Sequence, residues 1–325
     1  MILLLYVDDI ILTGTSDDVI QSMISQLTTE FDMKDLGILH FFLGLQIEYQ
    51  PQGLFVHQST YVKALLHKAN MLDCKPCLTP CHPYQKLLSH GSSSVVDPGS
   101  YRSLVGALQY LTFTRPDIAF SVNQVCQFMH SHLESHLAAV KRILRYLKGS
   151  IHLGLCFRPG SFHLRAYTDA DWADDPNDRR STTGFVIFLG SNPISWSSKM
   201  QHTVSRSSTE VEYRAMATTT AEIVWIQQLL QNLHMPVLDT LLLHCDNISA
   251  MALATNPVFH SKSKHIEIDC HFVRERVQRG TILLQFVNSA DQYADVFTKG
   301  LCSPQFRFNC SNLMLGCSQQ KFEGR

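Results

Sequence analysis

The sequence predicts an α/β (α+β) fold, with helices and connecting segments first and then a mixed sheet carrying helices on its faces. Three observations predict it. Residues 163–168, 183–189 and 194–198 are short runs of the kind that pair as hairpins. After them the order changes to helix, strand, helix, helix, which covers a sheet rather than extending a meander. The 325 residues are 45% hydrophobic, 17% charged and 10% aromatic, enough apolar material for two or three domains. That composition excludes a disordered, collagen-like or coiled-coil chain. A net charge of -1 excludes a uniformly basic nucleic-acid binder but leaves room for a local basic face. No apolar run approaches a membrane span, and Met1–Leu5 soon meets Asp8 and Asp9, so neither a leader nor an anchor is expected and the chain should be soluble. The ten cysteines are scattered and read as reduced thiols of an intracellular protein. Cys74, Cys77, Cys81 and His82 lie close together, but no second Cys/His pair follows at zinc-finger spacing, so zinc is not expected there.

The elements follow in order. Residues 1–12 form an apolar β-run broken by two acids, which predicts a buried strand turning at Asp8–Asp9 and returning. Adjacent carboxylates inside an apolar hairpin repel unless something positive sits there, and a divalent metal answers that economically. Val19, Ile20, Met23, Ile24, Leu27 and Phe31 are spaced for a helix over 16–32, with Asp17 and Asp18 at its positive end. Gly37 and Gly44 bracket an apolar strand pattern. Residues 59–72 read as a helix with Ser59 as N-cap. Residues 74–99, rich in Pro, Ser, Cys and His, read as a linker. Residues 101–149 read as two or three helices. In the last of them Val140, Ile143, Leu144 and Leu147 make an apolar stripe. Lys141, Arg142, Arg145 and Lys148 lie opposite, either as a solvated face or as contacts to nucleic-acid phosphates.

In the C-terminal half the first strand ends at Asp169 and a polar loop with Asp171, Asp174, Asp175 and Asp178 follows. A helix is expected over 209–233, a strand over 241–245 ending at Asp246, and a helix through 254. Beyond these come a helix over 267–278, a strand over 281–287 and a short helix over 291–298. Residues 301–325 carry no readable chemistry. Asp169 and Asp246 end strands, and acids of the 209–233 helix lie near its N-terminus. Strand ends meet at one edge of such a sheet. Carboxylates gathered there bind hard divalent cations, and a pair of Mg²⁺ ions can clamp both oxygens of a phosphoryl transfer.

Several motifs carry a resemblance. Tyr6-Val7-Asp8-Asp9 resembles the polymerase motif of reverse transcriptases. Phe31–Gln46, Tyr101–Thr112, Thr114–Ile118 and Val140–Gly149 resemble segments that follow it in copia-type LTR retrotransposon polyproteins. Tyr167–Trp172, Ser207–Ala215, Cys245–Ala250 and Ala294–Lys299 resemble the four acidic motifs of copia-type ribonuclease H domains. Lys264–Asp269 and His271–Glu275 resemble further signatures of that family. The resemblance covers roughly residues 1–300.

It implies a truncated reverse transcriptase palm and thumb remnant over 1–90, a helical connector over 91–160, a ribonuclease H-like domain over 161–300, and a tail over 301–325. It implies Asp169, Glu212, Asp246 and Asp295 as catalytic metal ligands, holding two Mg²⁺ ions with Mn²⁺ as a possible substitute, and an RNA/DNA hybrid as substrate. Other parts of the polyprotein are expected partners, and a membrane is not. Asp8 and Asp9 supply two ligands of the polymerase metal site. The third Asp and the fingers of that site lie outside this sequence, so the chain alone is not expected to polymerise DNA. Glu210 and Glu212 point about 200° apart on a helix, so only one can serve; Glu212 is preferred from the resemblance and Glu210 is the fallback. Asp291 is a weaker rival to Asp295, and Asp171 reads as a loop residue. Lys264, His265 and Arg274 read either as phosphate contacts or as ordinary helix and surface residues. Trp172 and Trp196 read as core rather than as base-stacking platforms. The alternatives to an active hydrolase are a binding-only relic and an inactive polyprotein fragment.

Overall fold

The computed structural model describes residues 1–91, 97–237, 239–256 and 267–317. β1 (Ile2–Tyr6) and β2 (Asp9–Thr13) pair antiparallel with Tyr6 opposite Asp9. The hairpin forms where expected, but it is not buried. Leu5 is 62% exposed, and Leu3, Leu4, Tyr6 and Val7 are exposed as well. The following helix α1 (Asp17–Glu30) has no buried residue. These elements form their own two-stranded sheet and helix, outside the clusters that make the core.

A second sheet is antiparallel throughout, in the order β12-β6-β5-β4-β3. Its strands are β3 (Phe41–Phe42), β4 (Leu45–Gln50), β5 (Gly53–His57), β6 (Gly154–Phe157) and β12 (Leu315–Gly316). It therefore draws on the beginning, the middle and the end of the chain. Of the stretch expected as a tail, residues 303–316 are a working part of it, and residues 318–325 lie outside the described residues. Helix α9 (Ser303–Asn312) sets Phe306 edge-on to Tyr146, and Leu313 and Leu315 are buried.

Helix α2 (Ser59–Lys68) is shorter than expected and its cap falls one residue earlier: Gln58 is the N-cap, and Ser59 Oγ bonds His57 Nδ1 at 2.7 Å. Helices α3 (Pro98–Leu111), α4 (Ala119–Cys126) and α5 (Glu134–Gly149) fill the connector. Asp97 caps α3 by accepting from the Gly99 and Ser100 amides, with Pro98 at the first helical position where no N–H is needed. A buried Arg115–Asp117 ion pair (2.7 Å) ties this layer together. Arg115 also donates to Ser150, and Tyr146 donates to Asp117, so the buried charges are satisfied.

Residues 74–91, expected as a linker, lie against the folded body. Arg142 donates to Thr79 Oγ1 (2.9 Å) and reaches His82 Nε2 (2.8 Å), and Arg145 donates to the Lys75 carbonyl (2.7 Å). Further on, the Ser89 amide donates to Asn177 and Lys86 pairs with Asp174.

The third sheet runs β11-β10-β7-β8-β9. β7 (Leu164–Ala170), β8 (Thr182–Leu189) and β9 (Asn192–Met200) are an antiparallel meander. β10 (Leu241–Cys245) is parallel to β7, and β11 (Ile282–Phe286) is parallel to β10. One face packs Leu164, Ala166, Ile187 and Leu243 against α6 (Ser208–Asn232), α7 (Ile248–Thr255) and α8 (Glu267–Gln278). The other face sends Tyr167, Val186 and Phe188 into the core shared with α3, α4 and α5. The sheet is thus covered on both sides, as its near-continuous apolar strands require. The short helix expected at 291–298 is two 3-10 turns, Ser289–Asp291 and Tyr293–Phe297.

Candidate active site

Sheet register builds the site. His244 on β10 pairs with Tyr167 on β7. Continuing that register by two residues sets Asp246 beside Asp169. Asp169 is 2% exposed, and Asp246 is half-buried with Ser289 Oγ 3.4 Å from its carboxylate. Across the sheet, Asp169 faces Gly184 on β8. A Cβ at Gly184 would stand 2.6 Å from Thr298 and 2.7 Å from Phe297. The glycine therefore lets the 293–298 turn lie directly on the sheet. That turn carries Asp295, buried at 6% exposure. Gln292 anchors it: its side chain donates to the Thr168 carbonyl and accepts from the Ala294 amide. Thr298 Oγ1 donates to Asp169 Oδ2.

The start of α6 separates the two glutamates. Ser207 is the N-cap and accepts from the Glu210 amide, and Glu210 accepts in turn from the Arg206 amide (2.9 Å) and from Arg214 (2.8 Å). Glu210 is thus taken up in a capping arrangement. Glu212 turns the other way and is 6% exposed. An oxygen of Glu212, an oxygen of Asp246 and Cys245 Sγ lie within 4.8 Å of one another.

The electrostatics follow from crowding. Burial, then the Asp169 and Asp246 charges, push the Glu212 carboxyl well above its ordinary value. Burial and Asp169 also raise Asp295 and Asp246. Lys299 stands in the midst, with Nζ 2.8 Å from Asp295 and 3.6 Å from Asp169. Burial lowers its tendency to stay charged, but Asp169 and Asp295 outweigh this and hold the ammonium above its ordinary value.

Glu212 Oε2 is buried without a hydrogen-bond partner. An orphaned carboxylate oxygen among other carboxylates is costly unless a cation sits there. The oxygen-rich donor set fits Mg²⁺ or Mn²⁺.

The other candidates lie elsewhere. Asp8 and Asp9 are exposed at the β1–β2 turn, and among the described residues no metal-binding group of three includes them. That corrects the buried hairpin expected there, since the solvent already relieves their repulsion. Asp291 is exposed. The Asp171 carboxyl, in the loop after β7, accepts from the Asp174 amide and is raised to about 7, chiefly by burial.

Arg142 and Arg145 clamp the 75–82 stretch, so the four-cation face reduces to exposed Lys141 and half-buried Lys148. The helix phase was right; the contacts of residues 75–82 use the arginines. Arg274 is buried and donates to the Leu253 carbonyl, so it faces the interior rather than phosphates. Trp196 is half-buried and donates to the Thr112 carbonyl, whereas Trp172 is 57% exposed and is not core. Lys264 and His265 lie outside the described residues. Sequence reasoning missed Gly184, Gln292, Thr298 and the role of Lys299. The four-residue spacing from Asp295 to Lys299 is the one local signal that could have flagged it.

A mixed five-stranded sheet in this order, covered by helices and with buried acids at one edge, defines an α/β architecture of the ribonuclease H-like fold. A family described as reverse transcriptase (RNA-dependent DNA polymerase) matches residues 1–83. The retrovirus-related Pol polyprotein from transposon RE1 of Arabidopsis thaliana is 46% identical over 306 residues, 94% of this chain and 21% of that protein. A transposon Ty5-1 protein of Saccharomyces cerevisiae is 32% identical over 222 residues, 67% of this chain and 72% of the relative. The foamy viral protease-reverse transcriptase in complex with RNA/DNA hybrid matches 88% of this chain and 36% of that chain, at TM-score 0.52 and 12% identity, a likeness of fold. The chain belongs to the family of copia-type retrotransposon Pol polyproteins. It spans about a fifth of the length of the RE1 relative. Among the described residues, no helix is long and apolar enough to cross a membrane.

Proposed function

We propose that this chain is a retrotransposon ribonuclease H that hydrolyses the RNA strand of RNA/DNA hybrids. The observation that carries the reading is the mutual crowding of Asp169, Glu212, Asp246 and Asp295, the first and last sharing Lys299, with a buried Glu212 oxygen left unpaired. These four would hold two divalent ions, Mg²⁺ or Mn²⁺, which supply an activated water and stabilise charge on the phosphate and the leaving 3′ oxygen. The chain's own residues supply the frame. Thr298 fixes one Asp169 oxygen, Ser289 faces Asp246, and Gln292 ties the Asp295 turn to β7. Burial excludes bulk water from Asp169, Glu212 and Asp295, which strengthens each charge interaction there. Preference for a hybrid would come from 2′-hydroxyl contacts and duplex shape rather than base reading. Asp8 and Asp9 have no part in this hydrolysis.

The test is cleavage of labelled RNA in a hybrid by purified chain with Mg²⁺, against single-stranded RNA, EDTA and Asp169→Asn. Cutting of the hybrid alone, lost in both EDTA and Asp169→Asn, is expected. Hybrid binding by folded protein without cutting would instead support a non-catalytic binding role.

A further inference from the structure

We propose that the Lys299 ammonium is an exchangeable internal cation, seated between Asp169 and Asp295 until a divalent ion takes its place. This rests on reading the four acids as a metal cage. The geometry is that of a counter-ion at its post: Nζ lies 2.8 Å from Asp295 Oδ1 and 3.6 Å from Asp169 Oδ2. A Mg²⁺ ion bonds carboxylate oxygen at roughly 2.0–2.1 Å, so one bridging these two acids would occupy the space of the ammonium. Two cations also repel at such range. Lys299 has somewhere to go, because its side chain is 43% exposed and lies on the solvent side of the buried Asp295. Its carrier is fixed. Gln292 anchors the turn to β7, and Gly184 lets it rest on β8. The swing therefore takes place in the lysine stem and leaves the backbone where it is.

The arrangement also balances charge. Without metal, four crowded carboxylates need cations or protons. Lys299 acts on Glu212, Asp246 and Asp295 alike, besides Asp169. The ammonium thus stands in for part of the divalent charge. Arrival of a divalent ion releases it. Lysine suits such a place better than arginine, since a point charge on a flexible stem leaves more readily than a bidentate fork.

The experiment is calorimetric titration of Mn²⁺ at about pH 8, where proton competition is reduced. It compares the parent chain with Lys299→Gln, Lys299→Arg and Asp169→Asn. Lys299→Gln is expected to bind Mn²⁺ about tenfold more tightly, equivalent to about 1.4 kcal/mol, because no ammonium must leave. Lys299→Arg should bind no more tightly than the parent, and Asp169→Asn should lose the strong site. Parent binding with unchanged or weaker affinity in Lys299→Gln overturns the exchange and leaves the metal cage standing. No Mn²⁺ binding by the parent overturns both.

A second measurement needs no variant. Amine acylation of the parent, read residue by residue by mass spectrometry, should label Lys299 several-fold faster with saturating Mn²⁺. Unchanged or slower labelling overturns the exchange even if Lys299→Gln fails to fold.

Discussion

Asp8 and Asp9 are neighbours in sequence, whereas Asp169, Glu212, Asp246 and Asp295 are scattered over more than a hundred residues. Yet the scattered set meets and the adjacent pair stands in solvent. The difference lies in what each acid is attached to. Asp8 and Asp9 sit on a two-stranded turn whose flanks are exposed. The other four are mounted on two parallel strands, a long helix and an anchored 3-10 turn, all packed on one sheet. Carboxylates become strong metal ligands when a rigid fold denies them water and other partners. Proximity along the chain does not do this.

The largest expected contrast is in catalysis. Asp169→Asn or Glu212→Gln should lower hybrid cleavage by about a hundredfold or more, since even outer partners of a metal site cost 10–100-fold. Asp8→Asn with Asp9→Asn should leave the rate unchanged; equal losses at both places would erase the distinction drawn here.

Next comes pH. The Glu212 carboxyl is raised above its ordinary value of 4.5, so the folded chain binds more protons than the unfolded one from there upward. Metal-free stability is full below that value and falls as pH rises toward the folded value. Thermal melts in EDTA at rising pH should show this loss. Glu212→Gln should flatten it and raise the neutral-pH melting temperature by about 2–4 °C. Mg²⁺ should reverse the slope, raising the melting temperature more at high pH than at low pH, because ligand binding releases protons.

Gly184→Ala should destabilise the fold by about 1–3 kcal/mol, as overpacking does. It should also weaken Mn²⁺ binding by lifting the Asp295 turn from β8, and a titration with normal affinity would show that the turn can shift without cost. The smallest effect belongs to the exposed pair: Asp8→Asn with Asp9→Asn should move the Mg²⁺-dependent melting shift by no more than about 1 °C.

The strand ends near Asp169 and Asp246 were legible because an alternating run over 163–168 and an apolar run over 241–245 stop there. The choice between Glu210 and Glu212 was not, because it depends on a cap. Ser207 fixes where α6 begins, and Glu210 then bonds back to Arg206. No periodicity argument contains that fact. The hairpin at Asp8–Asp9 was legible as a hairpin but misjudged in depth. An apolar strand reads as buried whether or not anything covers it. The basic face of α5 failed for a related reason: helix phase assigns a side, but the neighbour on that side, residues 75–82, was read as a linker. β6 and β12 are two to four residues long and owe their existence to partners far along the chain.

That last pairing has a consequence for synthesis. Leu315 on β12 pairs with Leu155 on β6 across about half the chain, and α9 brings Phe306 onto Tyr146. A ribosome delivers β6 long before β12. Until residues 303–316 emerge, β6 presents a bare edge, and the core beneath α9 stays open to water. A message stopped just short of that stretch would encode the four acids in full but yield a nascent chain with an unpaired strand, prone to stick to its neighbours.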